Sequence, residues 1–168
     1  MPNILDLPIL SRIRRNHGLE HATLTTLARR FPGHAIGGYS DPGGCWIVGD
    51  LDTEAVTAAA IEALDRLHQG ERSLAVHPHC GTNYAVAGTL AGLAGGLVML
   101  PGGTRRQKLE RLPMAAVLAT LALIAAQPLA LLVQSRITTS GIPGELAITQ
   151  VTRQEQGKMV LHRIHTKG

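Results

Sequence analysis

The sequence predicts an α+β fold: a small antiparallel sheet made from two β-hairpins and packed with helices, interrupted by an inserted two-helix apolar (transmembrane) hairpin. Three observations carry that expectation. Apolar residues recur at helical spacing within residues 9–30 and 53–67, turn-punctuated short runs fill residues 34–51 and 144–168, and two charge-free runs cover 84–100 and 113–133. The organisation that follows is an amino-terminal α+β part over 1–83, a membrane-inserted helical hairpin over 84–134, and a carboxyl-terminal β-hairpin over 135–168 that completes the sheet.

In chain order, Ile9, Ile13, Leu19, Leu24 and Leu27 mark one face of a first helix, and Pro32-Gly33 ends it. The stretch HAIGGYSDPGGCWIVGDL holds two short apolar runs split by Asp-Pro-Gly-Gly, a strong turn signal, and reads as a hairpin. A second helix follows, with Asp52 or Thr53 as its side-chain cap, a stripe of Val56, Ala60, Leu64 and Leu67, and Gly70 as its stop. In the tail, Leu146, Ile148 and Val151, then Met159, Leu161 and Ile164, flank a polar Gln-Glu-Gln-Gly turn and form the second hairpin.

Between these hairpins, the run 113–133 has the roughly 20 residues needed to cross about 30 Å of hydrocarbon, and 84–100 is near the lower limit. Gly88, Gly92, Gly95 and Gly96 give the small-xxx-small spacing that lets another helix approach, with the second run as the expected partner. A membrane-protein partner or a second copy could dock on the same glycine-rich helix. Gln127-Pro128 predicts a kink or an interfacial end.

Net charge is +4, but the excess is concentrated: residues 105–111, RRQKLER, hold four basic side chains and one acidic. That density between two apolar runs favours a lipid bilayer over nucleic acid as partner, and a multi-pass protein of the cell membrane. Only Phe31, Tyr39, Trp46 and Tyr84 are aromatic, too few for a stacking platform, so no nucleic acid is expected. Topology is pulled two ways. The basic linker belongs inside, yet 83 residues without a basic-then-apolar leader are hard to translocate, so the side of the folded part is left open. No P-loop, dinucleotide fingerprint or G-x-S-x-G elbow is present.

The chemistry concentrates in two short stretches. In HGLEHAT, residues 17–23, His17 and His21 are one turn apart, about 40° around a helix, with Glu20 about 60° to the other side. This H-x-x-E-H pattern is the inverted zinc-hydrolase helix: the imidazoles bind metal and the carboxylate takes a proton from metal-bound water. A plain polar helix face is the competing reading. In HPHCGTN, residues 77–83, His77 and Cys80 add the nitrogen and sulfur donors Zn²⁺ prefers, while His79 is the expected bystander. Three ligands plus water make a catalytic site; four close a structural one. Glu20 is therefore the candidate catalytic residue, and His17, His21, His77 and Cys80 are the candidate metal ligands. Cys45 and Cys80 are the only cysteines, and reduced thiols are the simpler expectation for both. His34, His68, His162 and His165 are assigned no site; the last two, three apart on a strand, face opposite sides.

With both motifs followed by apolar helices, the chain resembles a small uncharacterised bacterial membrane-protein family, a domain of unknown function. In the motifs alone it is also similar to the YqhQ-like membrane proteins, which carry H-G-x-E-H-x-T and H-P-x-C-G-T blocks. That resemblance implies a metal-dependent enzyme of unknown activity, supports His17, Glu20, His21, His77 and Cys80, and leaves His79 at a variable position. The expectation is a membrane-anchored metal-binding protein, a zinc-dependent hydrolase if an enzyme. The alternative is a non-catalytic membrane scaffold with a structural metal site.

Overall fold

A proline at the first helical position, where an N–H would lack a partner anyway, opens α1 (Pro8–Arg30). The structure is a computed structural model and describes residues 4–168. The chain folds as two compact units, one built from the segments up to His77 and from Ser135 onward, the other from Pro78–Gln134.

In the first unit, α1 closes where Phe31 donates its N–H to the Leu27 carbonyl, with Arg29 and Arg30 beside the negative end of the helix dipole. Strands β1 (Gly37–Asp41) and β2 (Gly44–Val48) follow as an antiparallel pair, turning through Pro42-Gly43. Gly44 has φ +142°, and a Cβ there would stand 2.0 Å from the Ile164 carbonyl, so no other residue fits. The second helix, α2 (Thr53–His68), buries Val56, Ala60, Leu64 and Leu67 as its periodicity predicts. Its expected side-chain cap is not made. Asp52 occupies the cap position in extended backbone with its carboxylate in solvent, where hydration replaces the cap hydrogen bond.

The tail forms β3 (Ala147–Gln156) and β4 (Met159–Lys167). Pairing continues to Gln156↔Met159, so the turn is Gly157-Lys158 rather than the expected Gln-Glu-Gln-Gly, with Gly157 supplying φ +63°. A register shift between Ile148 and Gln150 lets Ile148 and Val151, three apart, both pack on the core. All four strands are antiparallel in the order β1-β2-β4-β3, so the second hairpin docks on the inner strand of the first. Cys45↔Ile164 and Ile47↔His162 point to the face covered by α1 and α2. Leu19, Leu27, Ile47 and Ile164 are fully buried there, each contributing about 1.5–3 kcal/mol of burial free energy. The expected mixed helix and antiparallel sheet is present.

The second unit contains α3 (Gly81–Met99) and α4 (Arg105–Val133), which pack on each other. Thr104 and Gln107 form a reciprocal capping box at the start of α4, and the Arg111 guanidinium donates to the Pro101 and Gly102 carbonyls across the connecting loop. The helical segment Arg105–Thr138 is long and apolar enough to cross a membrane, and it is the one such helix among the described residues. The expected pair of spans is thus reduced to one. In α3, Thr82-Asn83-Tyr84 in the first turn and five glycines without side chains dilute the apolar length.

Two expectations about these helices are corrected. Gly95 alone of the four glycines meets α4, with a Cβ position 3.5 Å from the Ala115 carbonyl and 3.6 Å from the Ala119 Cβ; Gly88, Gly92 and Gly96 face open space. Of the two outcomes expected at Gln127-Pro128, a kink or an interfacial end, an end of the helix is not found. The helix continues to Val133 and passes into a π turn at Gln134–Thr138, since proline removes a single rung and following turns restore the ladder.

Candidate metal centre

The site is built on α1, where helical geometry stacks residues four apart. The His17 and His21 rings lie 4.4 Å apart between centroids at 60°. His77, at the end of the turn through Arg72–Ala75, brings a third imidazole, its centroid 5.7 Å from that of His21. Three of the sequence-predicted imidazoles therefore lie near one another within the first unit.

The histidines are oriented by the main chain. His17 Nδ1 is 3.0 Å from the Thr138 carbonyl and His21 Nδ1 is 2.9 Å from the Ala75 carbonyl. A carbonyl only accepts, so each Nδ1 must carry the proton. In a neutral ring this bond puts the lone pair on Nε2, the outer-sphere arrangement that ligating histidines usually show.

Gly18 makes this possible. A Cβ at that position would stand 2.1 Å from the Ser140 carbonyl, so glycine lets the 138–140 segment cross directly over α1. Arg14 fastens the crossing, donating to the Arg136 and Thr139 carbonyls while its own carbonyl accepts from the Ser140 N–H. On the other side, Asn16 donates to the Asp41 carbonyl and accepts from the Thr166 hydroxyl at 2.7 Å, tying the helix to the sheet.

Glu20 is 4 % exposed. Its Oε1 lies 3.0 Å from where a Gly38 Cβ would be, so the carboxylate packs against the backbone of β1, and the missing side chain makes room for it. Cys45 is buried nearby as a free thiol. Burial first, and the Glu20 charge second, push its ionisation up, which keeps it neutral and unsuited to ligation.

Cys80 is also buried and in no disulfide, at the cap position of α3. It follows His77 by three residues, so the backbone alone keeps the two Cα atoms within roughly 11 Å. His79, the expected bystander, is exposed in the turn between them. The other histidines lie elsewhere: His34 stacks edge-on to Phe31, His68 reaches the Gly144 carbonyl, and His162 and His165 take opposite faces of β4.

Sequence reasoning missed the Thr138 and Ala75 carbonyls and the two glycines. A carbonyl is common to all residues and leaves no signal, but Gly18 inside the H-G-L-E-H motif, mid-helix where glycine is unfavourable, was a mark of close approach.

A family model described as "Domain of unknown function (DUF6391)" matches residues 12–151. The chain is also similar to an uncharacterised protein of Picosynechococcus sp., 38% identical over 150 residues that cover 83% of this chain and 71% of that protein. No solved structure matches.

Proposed function

The chain belongs to the DUF6391 family, and from that premise we propose that it is a membrane-anchored metal-binding protein in which His17, His21, His77 and Cys80 hold Zn²⁺. One observation supports the reading: two neighbouring imidazoles, edge-on to each other, each give their Nδ1 proton to a main-chain carbonyl, so that Nε2 is the atom a neutral ring would offer to a metal. Nitrogen with thiolate sulfur is the donor set zinc favours, which is what the two α1 histidines and a cysteine would supply. A metal held there would act as a Lewis acid on a bound water. In this reading Glu20, on the same helix, would accept that proton, and the reaction class would be metal-dependent hydrolysis. The motifs it shares in type with the YqhQ-like proteins extend the same reading to that larger group.

The single apolar helix long enough to cross a bilayer supplies the anchor, and we read α3 as its membrane-embedded companion. The outward Gly88, Gly92 and Gly96 then offer a close-approach face to a membrane-protein partner or a second copy.

A second reading, a closed structural zinc site, is favoured by one feature: Glu20 is buried against Gly38, away from bulk water. Metal analysis of detergent-purified protein tests both. About one zinc per chain is expected, falling at least tenfold in His17→Ala and His21→Ala; an unchanged, near-zero content in all three refutes metal binding. Glu20→Gln then separates the readings. Retained zinc with lost turnover identifies the hydrolase, whereas retained zinc with no change in any function identifies the structural site.

A further inference from the structure

The second unit carries a cleft that the metal reading does not use. It encloses about 430 Å³ between the first turns of α3 and the last third of α4, inside the range of roughly 300–1,000 Å³ typical of small-molecule sites. Its lining is divided in character. Leu123, Ile124 and Ala87 form an apolar floor, and His79, Tyr84 and Gln127 bring polar groups to the same space.

Gln127 points to the occupant. It sits inside the charge-free run of α4, toward its carboxyl-terminal end, exposed, and its carboxamide makes no hydrogen bond among the described residues. In water that would mean nothing. On a helix apolar enough to cross a bilayer, an amide without a protein partner is costly, and polar side chains at such depth commonly mark a ligand path. Gln127 lies six residues before Val133, about 9 Å from the end of the α-helix, deep enough for acyl chains and shallow enough to meet a headgroup. A soluble metabolite would have no use for the exposed leucine and isoleucine floor, and a wholly apolar molecule would leave Gln127 unsatisfied.

We propose that this cleft is a binding site for a membrane amphiphile: a lipid whose acyl chain lies on Leu123 and Ile124 and whose hydrogen-bonding headgroup meets Gln127 and His79. The inference rests on the membrane reading and is independent of the metal.

The test uses the full chain in vesicles of phosphatidylglycerol and phosphatidylethanolamine doped with a phosphatidylglycerol bearing a diazirine on its acyl chain. After photolysis, labelled residues are mapped by mass spectrometry. Labelling is expected to concentrate at least fivefold on Tyr84, Leu123 and Ile124 relative to Leu93 and Val117, which are equally exposed on the same helices. Ala87→Trp, which fills the floor, should abolish that excess, and Gln127→Leu, which keeps the volume and removes the amide, should reduce it by at least threefold. Uniform labelling of all exposed apolar residues, insensitive to both substitutions, overturns the proposal and leaves only surrounding lipid. His17→Ala should keep the full excess, so a failed zinc assay leaves this result standing. Failure of the chain to float with the vesicles overturns the membrane reading, and this inference with it.

Discussion

At the residue scale, the site depends on Gly18 as much as on the histidines beside it. Any side chain there meets the Ser140 carbonyl, backbone that cannot rotate away. Gly18→Ala should therefore cost roughly 1–3 kcal/mol despite the better helix propensity of alanine, because overpacking outweighs it. Denaturant unfolding checks the stability, and metal analysis checks the coupled effect: by pushing residues 138–140 away, the substitution removes the carbonyl that fixes the His17 tautomer. Zinc affinity should fall by about 10–100-fold, the usual effect of losing such a partner. The closeness of His17 and His21 was legible, since H-x-x-E-H on a helix sets the two rings side by side. The surroundings of Glu20 were not legible. A helix face tells which way a carboxylate leaves the axis, not that a glycine on a strand 18 residues later will receive it.

At the element scale, strand β4 carries a pH dependence. His162 is fully buried on the helix-facing side, opposite Ile47, and neither ring nitrogen has a protein partner among the described residues. Burial first, and the Arg153 charge across the β3 pairing second, lower its pKa below the usual 6.5. Folding therefore favours the neutral ring, and the unfolded chain binds the proton more readily. The stability this contributes is complete above about pH 6.5 and is lost as pH falls from there through the folded pKa. His162→Leu should flatten the Tm between pH 7 and pH 5 relative to the parent, as read by circular dichroism; an identical fall in both proteins would refute the assignment. The strands were legible from alternation and turns, but the exact loop was not, because the ladder extended pairing through Gln156 and moved the turn onto Gly157. In α4, Pro128 left a kink and an end as alternatives that local signals cannot separate, and the 29-residue helix runs on past it.

At the scale of the whole molecule, the two units differ in what holds them together. Both hydrophobic core clusters, from Leu19 through Ile164, draw all their buried members from the first unit, and the sheet is complete without the insertion. Apart from Cys80 and Gln134 at its two ends, the second unit buries only small side chains, Ala91, Ala115, Ala126 and Ala130, while most of its large apolar residues are exposed. The first unit thus has a water-excluding core of its own, and the second needs an apolar surrounding to satisfy its surface. Replacing residues 79–134 by a short Gly/Ser linker should give a protein that stays monomeric in detergent-free gel filtration, keeps its α+β circular dichroism, and unfolds in one cooperative transition. It retains His17, His21 and His77 but lacks Cys80, so it should still bind zinc, at least tenfold more weakly than the full chain. Aggregation without detergent, or loss of the sheet signal, would show that the insertion is part of the core rather than an appendage to it. Equal zinc affinity in the two proteins would remove the thiolate from the proposed site and leave three imidazoles as its donors.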